Sequence, residues 1–183
     1  MQSFNTDREI KKEFQIILFA LFFLLFLYTS GNKCSADNPY APEPNAIVID
    51  SFNDSSVDNM CSLREAIQAV NNMTTVDGCV YLSVDNIELS MAGTYNLSIT
   101  GGAEDSNQSG DLDITRNVTI TGFGTKASDT VIDASAISER IFHLQGGEVN
   151  IRNLKLTNGN QMSDGGAIYA TGLIVLNLTD LEI

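Results

Sequence analysis

The sequence predicts an all-β chain: a solenoid of short stacked strands with a short N-terminal capping α-helix, preceded by a signal peptide. Three observations predict it. A single convincing amphipathic helix stands early in the chain, at Ser62 to Asn72. From Val80 onward the chain breaks into many short β-prone runs separated by Gly, Asn and Asp, the pattern of a sandwich, a barrel or a solenoid. Two of those runs then align without gaps at an offset of 27 residues, and internal repetition favours the solenoid.

Residues 1–36 differ in composition from the rest and are read as a signal peptide or signal anchor. A polar start with Arg8, Lys11 and Lys12 leads into Phe14 to Tyr28, an apolar run of 15 residues interrupted only by Gln15. That length suits a signal-peptide core and falls short of the roughly 18 to 20 residues that span a bilayer. Small residues allow cleavage after Gly31 or after Ala36, and the second is preferred. Asp7, Glu9 and Glu13 make the start barely positive, which keeps an uncleaved anchor open. Gly31, Asn32 and Lys33 before Cys34 do not form a lipobox.

Without residues 1–36 the chain carries 6 basic against 20 acidic residues, a net charge near −14. Such a surface repels nucleic acid and anionic membranes, so no nucleic-acid partner is expected, and membrane contact only through the N-terminal segment. Cys61 and Cys79 then remain as an even pair. In an exported chain that pair reads as one disulfide, whereas in a cytosolic one it would suggest metal or redox chemistry.

Residues 37–45 hold all three prolines, Pro39, Pro42 and Pro44, and read as an extended linker. Residues 46–92 are expected to form the N-terminal cap. Ala46 to Phe52 is its first strand candidate. In the helix Ser62 and Glu65 fit a capping box, and Leu63, Ala66, Ile67 and Val70 make one buried stripe. Asn71 and Asn72 offer a stop. Three turns are marginal alone, so the stripe must dock on something.

Residues 93–183 are expected to be the first coils of the solenoid. Strand candidates are Asn86 to Leu89, Gly93 to Ile99, Leu112 to Ile114, Val118 to Thr121, Thr130 to Asp133, Ile141 to Leu144, Val149 to Ile151, Leu154 to Thr157, Ala167 to Ala170 and Leu173 to Leu178. Val149 to Leu156 aligns on Leu176 to Ile183, which places Asn153 on Asp180 as a rung of a turn ladder. A second echo sets Asn117 to Thr121 on Asn153 to Thr157, at an offset of 36.

The string Cys61-Ser62-Leu63-Arg64-Glu65-Ala66 resembles the name-giving motif of the CSLREA-domain family of exported bacterial proteins. The likeness extends through Ile67 to Asn72, Asp77-Gly78-Cys79, Ala92 to Tyr95, Gly110 to Ile114 and Ile141 to Leu144. Leu156 to Asn160 and Gly165 to Tyr169 resemble repeats of polymorphic outer-membrane proteins. The resemblance implies a right-handed parallel β-helix, export, and a bacterial surface or extracellular setting, but no settled activity. Proteins of this family usually run on for many more coils, so the chain is expected to be a truncated piece with further coils at its C-terminal end, or else an unusually short member whose last coil needs a partner.

Chemistry is sparse. The best acidic cluster is Glu104, Asp105, Asp111 and Asp113, in a loop rich in Gly, Ser and Asn that includes Asn107. Oxygen ligands so closely spaced are a candidate Ca²⁺ site, though the spacing is not that of an EF-hand. No other cofactor is expected. The single histidine, His143, alternates with Phe142 and is expected on the outer face without a role. Arg64 and Glu65 read as structural. Asn53, Asn72, Asn96, Asn107, Asn117 and Asn177 stand in Asn-x-Ser/Thr sequons, which are better explained as turn and strand-face residues in a bacterial chain.

The expected function is a non-catalytic secreted or cell-surface scaffold, an adhesin or stalk whose partner is a carbohydrate or a host or cell-surface ligand. The alternative is a polysaccharide-active, pectate-lyase-like enzyme or carbohydrate-binding protein with its active coils beyond Ile183.

Overall fold

Ser62 starts the helix that organises the N-terminal half. In a computed structural model describing residues 42–183 apart from Ser56, Ala103 and Ser163, α1 spans Leu63–Asn72. The signal segment, Cys34 and linker residues 37–41 lie outside the described residues. The Ser62 hydroxyl accepts the Glu65 N–H at 3.3 Å, and the Glu65 carboxylate accepts the Ser62 N–H at 3.0 Å. Two of the helix's free N-terminal donors are thereby satisfied. The helix ends at Met73, which takes a left-handed conformation (φ 53°). Met73 and Thr74 then donate their N–H groups to the carbonyls of Val70 and Ala69.

Cys61, just before the cap, is bonded to Cys79. Both are buried. Gly78 lies so close to the backbone of Asn59 and Met60 that a Cβ would collide with it, which is why the turn before Cys79 carries glycine.

Ten strands follow the β-prone runs: β1 (Ile47–Ile49), β2 (Asn86–Leu89), β3 (Gly93–Asn96), β4 (Leu112–Ile114), β5 (Val118–Thr121), β6 (Thr130–Asp133), β7 (Phe142–Leu144), β8 (Gly147–Thr157), β9 (Ile168–Ala170) and β10 (Ile174–Glu182). They form two parallel sheets. One has seven strands in the order β1-β2-β5-β8-β6-β3 with β10 also on β8, and the other has three, β4-β7-β9.

Inward residues stack in columns through the register. Ile47, Ile87, Ile120, Ile151 and Leu178 are successive partners across five strands. The first four are buried, while Leu178 on the outermost strand is exposed. Ile120→Ala removes a side chain from the middle of that column, and the loss of transfer energy plus the cavity is expected to cost about 2–5 kcal/mol. A lower urea midpoint with an unchanged m-value checks this.

The bend of the large sheet sits at Asn153, left-handed at φ 54°. Before it β8 pairs with β5, from Val118 on Val149 to Thr121 on Arg152, and after it with β6, from Val131 on Lys155 to Asp133 on Thr157. Asn153 donates its side-chain amide to the carbonyls of Gly122 (3.0 Å) and Gly124 (2.7 Å). A Cβ on Gly122 would strike the Asn153 carbonyl. Asp180, at φ 49°, falls at the matching break in β10.

These pairings overturn the expectation of an all-β right-handed parallel β-helix. The chain forms curled parallel sheets with one helix, an α/β-like arrangement. The physical reason lies in two elements. The bend at Asn153 lets one long strand serve two sets of neighbours, so strands expected on separate faces of a coil merge into one sheet. The helix gives Leu63, Ala66, Ile67, Ala69 and Val70 to the core and contacts β1 and β2 of one sheet and β4 of the other, so it is packed into the fold with the sheets.

Val149 to Lys155 does pair with Leu176 to Glu182 at the 27-residue offset. The 36-residue echo is not a pairing, because β5 meets β8 at Val118 on Val149. The large sheet also crosses the 92/93 boundary, since β2 pairs with β5. No helix among the described residues is long and apolar enough to cross a membrane.

Candidate functional site

The helix face opposite its capping box builds the polar part of the molecule. Arg64, 1% exposed, makes a bidentate pair with buried Asp54 at 2.7 and 3.0 Å. Its remaining N–H groups donate to the carbonyls of Asp111 (3.0 Å) and Gly110 (2.8 Å). Asp54 also accepts the N–H groups of Ser98 (2.9 Å) and Ile99 (3.0 Å). This ion pair, with four hydrogen bonds from the guanidinium and four to the carboxylate, ties helix, loop 50–54, loop 97–99 and the approach to β4 together. Burial raises the Glu65 carboxyl above its ordinary value, against the lowering effect of the Ser62 hydrogen bonds.

Next to this clamp, Asn107 fixes the loop that carries the acidic residues. It is buried and left-handed (φ 58°). Its N–H donates to the Asp113 carboxylate at 3.1 Å, its side-chain oxygen accepts the Asp113 N–H at 3.2 Å, and its side-chain amide donates to the Arg64 carbonyl at 2.8 Å. Gln68 of the helix donates to the Asn107 carbonyl at 2.6 Å. The Asn107 sequon is thus closed inside the fold.

The four acids of the expected calcium cluster separate into different roles. Glu104 is used by its own loop, accepting the N–H groups of Ser106 (2.9 Å), Gln108 (2.6 Å) and Ser109 (2.7 Å). Asp111 pairs with Arg140 at 3.2 Å. Asp105 and Asp113 come together, and the third member of their group is His143.

Sheet register explains the meeting. Asp113 of β4 lies beside His143 of β7, which lies beside Tyr169 of β9. Each is the middle residue of an apolar-polar-apolar triplet, so all three point away from the core. The His143 Nδ1 is 3.1 Å from Asp113 Oδ1 and 3.5 Å from Asp105 Oδ1. Gln145 Nε2 sits among them, at 2.8 Å from Asp113, 3.1 Å from Asp105 and 3.2 Å from His143 Nδ1. The other ring nitrogen, Nε2, is 3.3 Å from the Thr171 hydroxyl, which donates to the Leu144 carbonyl at 3.3 Å. Tyr169 stacks on the His143 ring (centroids 5.4 Å apart) and carries the Arg140 guanidinium 4.5 Å from its own centroid.

His143 does face outward, as alternation predicts, but with its side chain only 16% exposed it is enclosed by this polar group. Sequence reasoning missed His143, Gln145 and Thr171 as partners of the acids. The available signal was the likeness of Leu112-Asp113-Ile114, Phe142-His143-Leu144 and Ile168-Tyr169-Ala170 as strand triplets, which set side by side bring the middle residues into one row.

Burial pushes the Asp113 carboxyl up from 3.8 to about 6, with Asp111 and Glu104 adding to the rise and the Asn107 N–H and His143 opposing it. Asp111 is also raised by burial, against the pull of Arg140. Between roughly pH 4 and 6 the folded chain therefore holds a proton on Asp113 that the unfolded chain has released. This group adds stability as pH falls through 6, and the gain disappears as pH rises, on the order of 3 kcal/mol at most. Urea unfolding at pH 7.5 and pH 5 is expected to show a smaller pH-dependent gain for Asp113→Asn than for the parent chain.

Chemically, the row and the adjoining loop bring three ligand atoms together, from Asp113 and His143 on the sheet and from exposed Asp105. Compared with family models, with curated proteins and with solved structures, the chain matches none.

Proposed function

We propose that the chain is an exported scaffold of the CSLREA kind, displayed at a bacterial surface or secreted, which works by binding and not by catalysis. The observation that carries this reading is the Cys61–Cys79 disulfide. Both sulfurs are buried against the helix cap, so the bond belongs to the core, and such bonds persist in oxidising, extracytoplasmic compartments. The strongly acidic surface suits a soluble exported protein that avoids nucleic acid.

The buried polar residues support the same reading. Arg64, Asp54 and Asn107 are engaged in holding loops, and one carboxylate oxygen of Glu65 caps the helix. The outer row of the small sheet is one place where polar side chains face away from the core. Labelling of intact producing cells with a membrane-impermeant amine reagent tests the proposal, with exposed Lys126 as a reporter. Labelling together with loss of attachment on gene deletion is expected; a chain labelled only after lysis contradicts it.

A carbohydrate-binding reading has one observation in its favour. An open groove of about 400 Å³ is lined by Ser135, Ser138, Asn158, Gly159 and Asn160, hydroxyl and amide groups suited to sugar hydroxyls. Incubation with acidic glycans, with and without Ca²⁺, separates binding from cleavage, because shortened or unsaturated products would require an enzyme.

A further inference from the structure

We propose that Asp105, Asp113 and His143 form a binding site for a divalent transition ion of the zinc type. This goes beyond the scaffold reading and does not depend on it.

The first argument is a shortage of donors. Three acceptor atoms, Asp105 Oδ1, Asp113 Oδ1 and His143 Nδ1, lie within 4.8 Å of one another. The amide of Gln145 reaches all three, yet an amide has only two N–H groups. One acceptor is left for a proton or a cation. Convergent acceptors in a largely buried setting repel one another unless positive charge lies between them.

Geometry and positioning favour a metal. In a tetrahedral site with bonds of about 2.0–2.1 Å, neighbouring ligand atoms stand roughly 3.3 Å apart. The Nδ1 distances to Asp113 and Asp105, 3.1 and 3.5 Å, bracket that separation. Asp105, whose side chain is 72% exposed, is the member able to adjust. The other two are held: Asp113 through its paired bonds with Asn107, and the imidazole through Thr171, which is tied to the Leu144 carbonyl. A partner on the far ring nitrogen is the usual way a ligating histidine is oriented. With Nε2–H directed at Thr171, the Nδ1 lone pair faces the carboxylates. Rotation of the Gln145 amide would turn its oxygen toward the ion.

The donor set selects the ion. One imidazole nitrogen with two carboxylate oxygens suits zinc and its first-row neighbours, whereas calcium prefers six to eight oxygens. Two carboxylates balance the charge of the ion. Solvent reaches the open side at Asp105 and can complete the coordination shell.

The chain has a single histidine, so one imidazole resonance reports on the site. The experiment uses the full chain, stripped with chelator and titrated with ZnCl₂ or CaCl₂, followed by ¹⁵N imidazole NMR and calorimetry. Zinc is expected to bind one to one, to move the Nδ1 resonance and to raise the Tm, while calcium leaves the imidazole unmoved. Asp105→Asn, at an exposed position, is expected to weaken zinc at least 10-fold or so, and Thr171→Val about 10-fold, the cost of losing an orienting partner. Circular dichroism confirms that each variant folds. An imidazole unmoved by zinc, equal movement by calcium, or an Asp105→Asn chain that binds zinc as tightly as the parent each overturns the proposal. Any of these leaves the scaffold reading standing.

Discussion

Arg64→Met is expected to destabilise the fold by about 3–5 kcal/mol, the usual consequence of removing one partner of a buried ion pair. The reason is the position of Asp54, which is 8% exposed as a residue and accepts four hydrogen bonds, two of them from the guanidinium. Without Arg64 its charge stays buried with only the Ser98 and Ile99 N–H groups for support, and the Gly110 and Asp111 carbonyls lose their donors as well. The double substitution Arg64→Met, Asp54→Leu is expected to recover only part of the loss, since those four backbone groups remain unpaired. Chemical denaturation of the two single variants and the double variant measures the coupling.

Breaking the disulfide ranks second. Cys61 and Cys79 are 18 residues apart, and a bridge closing such a loop contributes about 3 kcal/mol by the chain-entropy argument. Cys61→Ser also loosens the residue next to the cap Ser62 and frees the turn that carries Gly78. The helix then holds its place between the two sheets less firmly, and apolar residues such as Ile67 and Val70 become accessible. A fall in Tm and concentration-dependent oligomers are expected, read by differential scanning calorimetry and light scattering. Equal melting of variant and parent under oxidising conditions contradicts this.

Local structure was legible in the sequence because short-range signals carry it. Ser62 and Glu65 announce the helix start, and the alternation in Val118-Thr119-Ile120-Thr121 announces a half-buried strand. The helix stop was less legible: Asn71 and Asn72 are suited to it, but Met73 takes the left-handed position, an unusual choice for that residue. The fold class was misread for a different reason. Strand pairing depends on where the chain bends, and Asn153 inside Val149 to Thr157 looks in sequence like an ordinary turn residue, although it redirects one strand to two sets of partners.

The candidate site shows the same limit. Glu104, Asp105, Asp111 and Asp113 are close in sequence, which suggested one cluster, but each carboxylate goes where its nearest donors are. Glu104 finds backbone N–H groups in its own loop, and Asp111 finds Arg140. His143, 30 residues beyond Asp113, is brought beside it by the register of β4 on β7. Composition carries no trace of that register.

The intact mass of the chain isolated from the cells that make it bears most directly on whether this is an exported, disulfide-closed scaffold. The prediction is a chain lacking the residues up to Gly31 or Ala36, lighter by the two thiol hydrogens of Cys61 and Cys79. A chain beginning at Met1 with both of these thiols free would contradict it.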